Sequence, residues 1–253
     1  MTAGACRELT VVVPAYNEEK WISGALRALD DQTDTGFTLV VVDNGSTDDT
    51  PRVVRAFARD TPLDVRLVDE PEPGAGTAAD TGFRYAIAHG ARLLARTDAD
   101  CRPARDWVAT ARAQLAGGAE LVCGRSVLRR DEHPSLLEHA YPAAVRLAAL
   151  YGRWRRAHRS SAYRTRYVLI HGHNLALTAD LDQRCGGTPR EELAAGAEDV
   201  TLLNRARLHT GRIVRAEHLV VESSLRRLRA WGPRRTLLWH WDRRYRPASV
   251  HIR

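Results

Sequence analysis

Apolar positions in the first hundred residues follow two alternating rhythms. Continuous runs at 8–16 (ELTVVVPAY) and 37–45 (FTLVVVDNG) are short and rich in valine, and read as buried strands. Between them, the stretch 17–32 (NEEKWISGALRALDDQ) sets Trp21, Ile22, Ala25, Leu26 and Leu29 at helical spacing. The strand-helix-strand unit then repeats: a helix near 48–59 opened by Asp48 and Asp49, a strand at 64–70, a helix near 76–90 after the turn cluster PEPGAG, and a strand running into TDAD at 97–100. Uniformly apolar strands separated by helices predict a parallel sheet covered on both faces, an α/β fold. Ligands of such sheets gather beyond the carboxyl ends of the strands.

That rule gathers three aspartates on one rim, because Asp43 ends the second strand and Asp98 and Asp100 follow a later one. Two carboxylates one residue apart suit a hard divalent cation, Mg²⁺ or Mn²⁺, whose shell a substrate's phosphates would complete. The plainer alternative is that both aspartates cap a helix beginning near Pro103. Spacing alone leaves the two readings open.

Composition changes the picture in two places. The 253 residues, 44% hydrophobic and 27% charged, are enough for one domain or a closely fused pair. Cys6, Cys101, Cys123 and Cys185 lack C-x-x-C spacing and read as packing residues, no apolar leader precedes the first strand, and no run reaches the length of a membrane span. A cytoplasmic protein is the expectation. The net charge of +7 is concentrated at the end of the chain, since 224–253 holds nine arginines against one acid, Asp242. A body that is slightly acidic argues against nucleic acid as a partner.

Four separated segments carry a resemblance. VVVPAYNEE in the first strand, VVDNGSTDDT closing the second, TDAD and GAEDVTLLNRARLHTGRIV occur in the order and spacing of family 2 glycosyltransferases. Over roughly residues 8–223 the sequence closely resembles that family. The resemblance implies a GT-A fold, a Rossmann-like nucleotide-binding sheet fused to a smaller acceptor-side region, with 1–130 as the donor half, 131–223 as the acceptor and base half, and 224–253 as a basic aromatic tail. It implies inverting, metal-assisted transfer of a single sugar from a nucleotide-sugar, UDP-linked by family habit, to a hydroxyl on a small or lipid-linked acceptor. No Q-x-x-R-W motif of the processive polymerases follows the acidic pair.

Residue by residue, the resemblance implies that Pro14, Ala15, Tyr16 and Asp43 frame the base, with Asp43 accepting from a base N–H. Glu18, Asn44, Gly76 and Ala99 belong to the same donor site. Asp98 falls near the ribose and metal, and Asp100 is the direct ligand of Mn²⁺ or Mg²⁺. Glu198 and Asp199 match the acidic pair, with Asp199 the base that takes the acceptor's proton. His218 stands where some relatives place a third metal ligand, although a lone strand histidine is commonly structural. His171, His173 and Asn174, in LIHGHNLALT, match the segment that approaches the donor sugar or acceptor; alternate burial in a strand is the other reading. One departure stands out: where many relatives carry Ala-Arg-Asn-x-Gly, this chain reads Ala78, Ala79, Asp80, Thr81 and Gly82. A donor-side arginine is missing.

Two stretches pair arginines with aromatics, 135–167 and the tail with Trp231, Trp239, Trp241 and Tyr245. They suit an anionic membrane surface, an acceptor phosphate, or simple packing on the body. The rival enzyme class is a nucleotidyltransferase, but that needs a Gly-rich basic loop after the first strand, where PAYNEEKW has acids. The rival without catalysis is a basic nucleic-acid or membrane-binding module driven by the tail.

Overall fold

A computed structural model describes residues 5–135, 138–140, 143, 145–147, 160–190, 198–226, 228–230 and 232. Eight strands form one sheet: β1 (Leu9–Ala15), β2 (Phe37–Asp43), β3 (Asp64–Asp69), β4 (Leu93–Thr97), β5 (Arg102–Pro103), β6 (Leu121–Leu128), β7 (Asn174–Thr178) and β8 (Ile213–Ser223). Their spatial order is β3-β2-β1-β4-β7-β6-β8-β5. The first four are mutually parallel, as the alternation of strands and helices predicts. β7 then runs antiparallel to both β4 and β6, which turns the second half into a mixed sheet.

Helices cover both faces. Along β1 and β2 the period-two alternation divides the side chains: Val11, Val13, Leu39 and Val41 join one apolar layer with Ile22, Leu26 and Trp107. Val12, Val40 and Val42 join the other, with Phe83, Leu181 and Leu202. The first layer is supplied by α1 (Ile22–Asp30), α2 (Thr50–Asp60) and α4 (Trp107–Ala116), and the second by α3 (Ala75–Ala88), α5 (Ala179–Arg184) and α6 (Glu198–His209). Gly82 lets α3 settle onto the sheet, because a Cβ there would stand 2.4 Å from Val12 Cγ1 and 2.9 Å from Val42 Cγ2. All four cysteines are buried and free of disulfides.

Two expected helix starts move. The helix foreseen from residue 17 begins at Ile22, because Asn17 to Glu19 are engaged with the turn after β2. Asn17 takes φ 53°, the Thr47 N–H donates to Asn17 Oδ1 at 2.8 Å, and the Glu18 N–H donates to Thr50 Oγ1 at 2.8 Å. The helix expected near Pro103 begins at Trp107, since Arg102 and Pro103 pair instead with Glu222 and Val221 of β8. Asp98 and Asp100 therefore cap no helix, and their simplest structural explanation falls away. No helix among the described residues is long and apolar enough to cross a membrane.

Candidate active site

The carboxyl ends of β1, β2 and β3 finish level, with Ala15 opposite Asp43 and Asp43 opposite Asp69. Pro14 and Ala15 are buried, and Tyr16 leaves the strand half-buried at the rim. Asp43 is only 7% exposed, and its Oδ1 has no hydrogen-bond partner among the described residues. A buried acceptor left unmet costs about 1–3 kcal/mol, so an oxygen of this kind at a strand end calls for a ligand donor. Asn44 has the opposite character. Its amide donates to the Glu70 and Glu72 carbonyls at 2.9 and 2.7 Å, and its oxygen accepts from the Gly74 N–H at 2.8 Å. The Asn44 side chain thus ties the loop after β3 to the end of β2.

Beneath the next part of the rim lies Arg96, which the sequence hides inside an apolar strand. Its side chain is almost wholly buried in β4, with Nη2 3.3 Å from Asp98 Oδ1 and 3.7 Å from Glu198 Oε1. Burial by itself would lower the Arg96 pKa, but Asp98, Glu198 and Asp199 outweigh it and raise the value above the ordinary one. This cation draws the aspartate turn and the acidic pair at the start of α6 to one place. Asp199 is buried and accepts from the Val200 N–H at 2.7 Å. Gly76 makes room for that approach, since a Cβ would lie 2.3 Å from the Pro189 carbonyl and 3.2 Å from Glu198 Cβ.

The other aspartate of the turn meets a residue from much further along the chain. Arg226, just past β8, donates from Nε to Asp100 Oδ2 at 3.0 Å, from Nη1 to Glu18 Oε2 at 2.9 Å, and from Nη2 to Glu18 Oε1. Burial opposes charge on both partners and pushes the Glu18 carboxyl up to about 7. Arg226 has two carboxylates against that burial penalty, Asp100 and Glu18, and its pKa rises. The arm is built in: Leu225 and Leu228 are buried, and the Leu225 N–H donates to Glu132 Oε2 at 2.8 Å. Ala99, between the two aspartates, is buried in an apolar layer, so only its backbone faces the site.

These contacts bear on a metal. Among the described residues no three His, Cys, Asp or Glu side chains stand together as a ready-made cation cage. Asp100 is already paired with Arg226 and Asp98 with Arg96, so the donor set as it stands fits a guanidinium and not a divalent ion. His218 does not complete it, being exposed on β8 where the ladder with β6 is interrupted between Gly124 and Arg125.

On the acceptor side, β7 begins where β4 ends, Asn174 lying opposite Thr97. His171 and His173 precede it at this edge, with ring centroids 5.2 Å apart, and His173 Nε2 is 3.0 Å from Ser126 Oγ. A Cβ on the intervening Gly172 would be 3.5 Å from the Arg96 guanidinium, which sets this segment over the buried cation. The Asn174 amide is engaged within the fold. It is fully buried, accepts from Trp107 Nε1 at 2.8 Å, and donates to the Arg125 and Leu219 carbonyls at 2.8 and 2.9 Å. Most of the arginine-aromatic stretch at 135–167 lies outside the described residues, as do Trp231, Trp239, Trp241 and Tyr245.

Comparison with known proteins follows the same outline. Residues 10–172 match the family model described as Glycosyl transferase family 2. An uncharacterized glycosyltransferase of Mycobacterium tuberculosis is 30% identical over 189 residues, covering 75% of this chain and 78% of that protein. Glycosyltransferase AglE of Haloferax volcanii is 31% identical over 119 residues, 46% of this chain, and the match spans only 38% of AglE. Among solved structures, a mannosyltransferase from Pyrobaculum calidifontis in complex with GDP-Man and Mn²⁺ superposes with a TM-score of 0.65 at 26% identity. That likeness covers 97% of this chain and 67% of the other.

Proposed function

The chain belongs to glycosyl transferase family 2, and from that premise we propose that it transfers one sugar from a nucleoside diphosphate sugar to a hydroxyl acceptor, with inversion at the anomeric carbon. The observation that carries this reading is the convergence on Arg96, where Asp98 at the end of β4 and Glu198 at the start of α6 bind one buried cation. Asp199 follows Glu198 directly, so the donor-side turn and the proton acceptor share one cleft. In the reaction, Asp199 takes the proton of the attacking hydroxyl, whose oxygen bonds to the anomeric carbon. The bond from that carbon to the diphosphate breaks on the opposite face, and the electron pair leaves with the nucleoside diphosphate.

Asp43, with its unmet oxygen, accepts from the base. Uracil offers N3–H and guanine offers N1–H, so this contact serves either, and the uridine expected from family habit stands beside the GDP-Man of the Pyrobaculum calidifontis enzyme. Residues 1–130 supply the donor half and 131–223 the acceptor half, with His171 and His173 at the seam. Mn²⁺ accompanies the donor in that enzyme. Here Asp100 carries Arg226.

The experiment is a thermal-shift panel of nucleotides and nucleotide-sugars, followed by proton NMR of the fresh product. A true donor raises the midpoint according to its occupancy. A product of retained configuration, or a panel in which no nucleotide-sugar shifts the midpoint, overturns the reading.

A further inference from the structure

The end of the cleft that receives the donor's diphosphate is lined by carboxylates, Asp98 and Asp100 at the rim with Glu18 buried behind them. A diphosphate is itself an anion. Two like unit charges about 4 Å apart repel by about 4 kcal/mol at an effective dielectric near 20. A cation therefore has to stand between them. Arg96 is spent beneath the rim, its side chain 3% exposed. Arg129, 4% exposed, faces Asp131 and the Asp100 carbonyl. Arg226 touches the aspartate turn and still reaches solvent, with a side chain 22% exposed.

A guanidinium has five N–H donors in a planar fork. Arg226 directs Nε at Asp100 and one hydrogen from each Nη at Glu18. Nη2 also lies 3.0 Å from Asp100 Oδ2, so one Nη1 hydrogen remains, on the side away from Asp100, and a charged N–H donor of this kind suits a phosphate oxygen. The arm that carries it is fixed by buried Leu225 and Leu228, and by the Arg229 bond from Nε to Glu138 Oε1 at 2.8 Å.

We propose that Arg226 is a donor-binding residue: held by Asp100 and Glu18, it contacts the diphosphate of the nucleotide-sugar from the place on Asp100 that a divalent ion would take, so a nucleoside diphosphate binds this protein without metal. The inference rests on the donor site assigned above. It replaces in function the donor-side arginine whose position here is Ala79. Negative charge grows on the diphosphate as the glycosyl bond breaks, and the same guanidinium stabilises it.

The test is calorimetric titration of the wild type, Arg226→Gln and Arg226→Lys with UDP and GDP, and with uridine and guanosine, each in EDTA and again in Mn²⁺. The wild type is expected to bind one of the two diphosphates in EDTA. Arg226→Gln should weaken it at least tenfold there, Arg226→Lys should recover part of the loss, and affinity for the nucleoside should be equal in all three. The double variant Glu18→Gln/Arg226→Gln, which leaves no buried carboxylate unpaired, is read in the same way if Arg226→Gln does not fold. Diphosphate binding by the wild type only in Mn²⁺ overturns the proposal. So does an Arg226→Gln protein that binds as tightly as wild type or more tightly, the latter marking the arginine as a plug. If no nucleotide or nucleoside binds the wild type in either condition, the donor-site assignment itself has failed.

Discussion

Two arginines hold the carboxylates of the cleft, one from below and one from the side, and they differ in what they leave over. Arg96 belongs to the central strand β4, is 2% exposed, and bridges Asp98 to Glu198. Arg226 belongs to an arm that returns after the last strand and clamps Asp100 to Glu18 while still reaching water. A cation sealed under a sheet can only fix the relative placement of its partners. One brought in along the edge keeps part of its guanidinium in reach of solvent. The floor therefore sets geometry, and the arm offers charge.

The sharpest way to probe the floor is to leave its shape alone and remove its chemistry. Asp199→Asn keeps an oxygen for the Val200 N–H, bonded now at 2.7 Å. Stability and donor binding should stay near wild type while turnover falls by about 10² to 10⁴, the usual contribution of a general base. Steady-state rates beside a melting curve check this, and full turnover would move the role to Glu198.

Breaking the floor itself should cost less in free energy than the largest of those losses. Arg96→Met removes the shared cation from Asp98 and Glu198, whose side chains are 33% and 21% exposed and so still partly hydrated. The expected destabilisation is about 3 kcal/mol, at the low end for a broken buried pair. Urea unfolding measures it, and a change below about 1 kcal/mol would mean that Arg96 does not hold the acids together.

Asp43 stands outside both clamps. Asp43→Ala should weaken the nucleotide by about 1.5–3 kcal/mol through loss of one charge-assisted bond, with little effect on stability. Equal affinity for every nucleotide in calorimetry would remove Asp43 from the base site.

A carboxyl without an arginine ion pair among the described residues supplies the smallest contrast. Asp182 is buried, and burial, with the neighbouring Asp80 adding to it, pushes its pKa up to about 7. The folded state then holds a proton that the unfolded chain has released above its ordinary value near 4. This contribution is complete at low pH and is lost as pH rises through about 7. The wild type should lose about 1–2 kcal/mol between pH 6 and pH 8 that Asp182→Asn does not, visible in urea melts at the two pH values.

The first half of the molecule was legible because its information is local. Runs such as TVVV and TLVVV can be buried only as central strands, and β1, β2 and β3 end within a residue or two of the positions read from the sequence. The placement of Asp43, Asp98 and Asp100 at the rim was legible because a strand end puts its next residue there. The bonds that Asn44 and Asn174 make to distant backbone carbonyls were not legible, because the partners of an amide are set by segments far along the chain. Arg96 left one trace, a charge within an otherwise apolar strand immediately before the aspartate turn. Arg226 left none, since its segment looked like part of a basic tail.

By itself, then, the sequence determined the parallel half of the sheet, the level rim of carboxylates and the family likeness, because hydrophobic period and motif order are properties of neighbouring residues. Only the tertiary structure decided that β7 inserts antiparallel beside β4, that Glu198 shares a buried cation with Asp98, and that the arm after β8 brings Arg226 to Asp100. Each of those contacts joins residues about eighty or more positions apart. Their pairing is selected by the free energy of burying and satisfying charge in the assembled fold, and no local pattern encodes it.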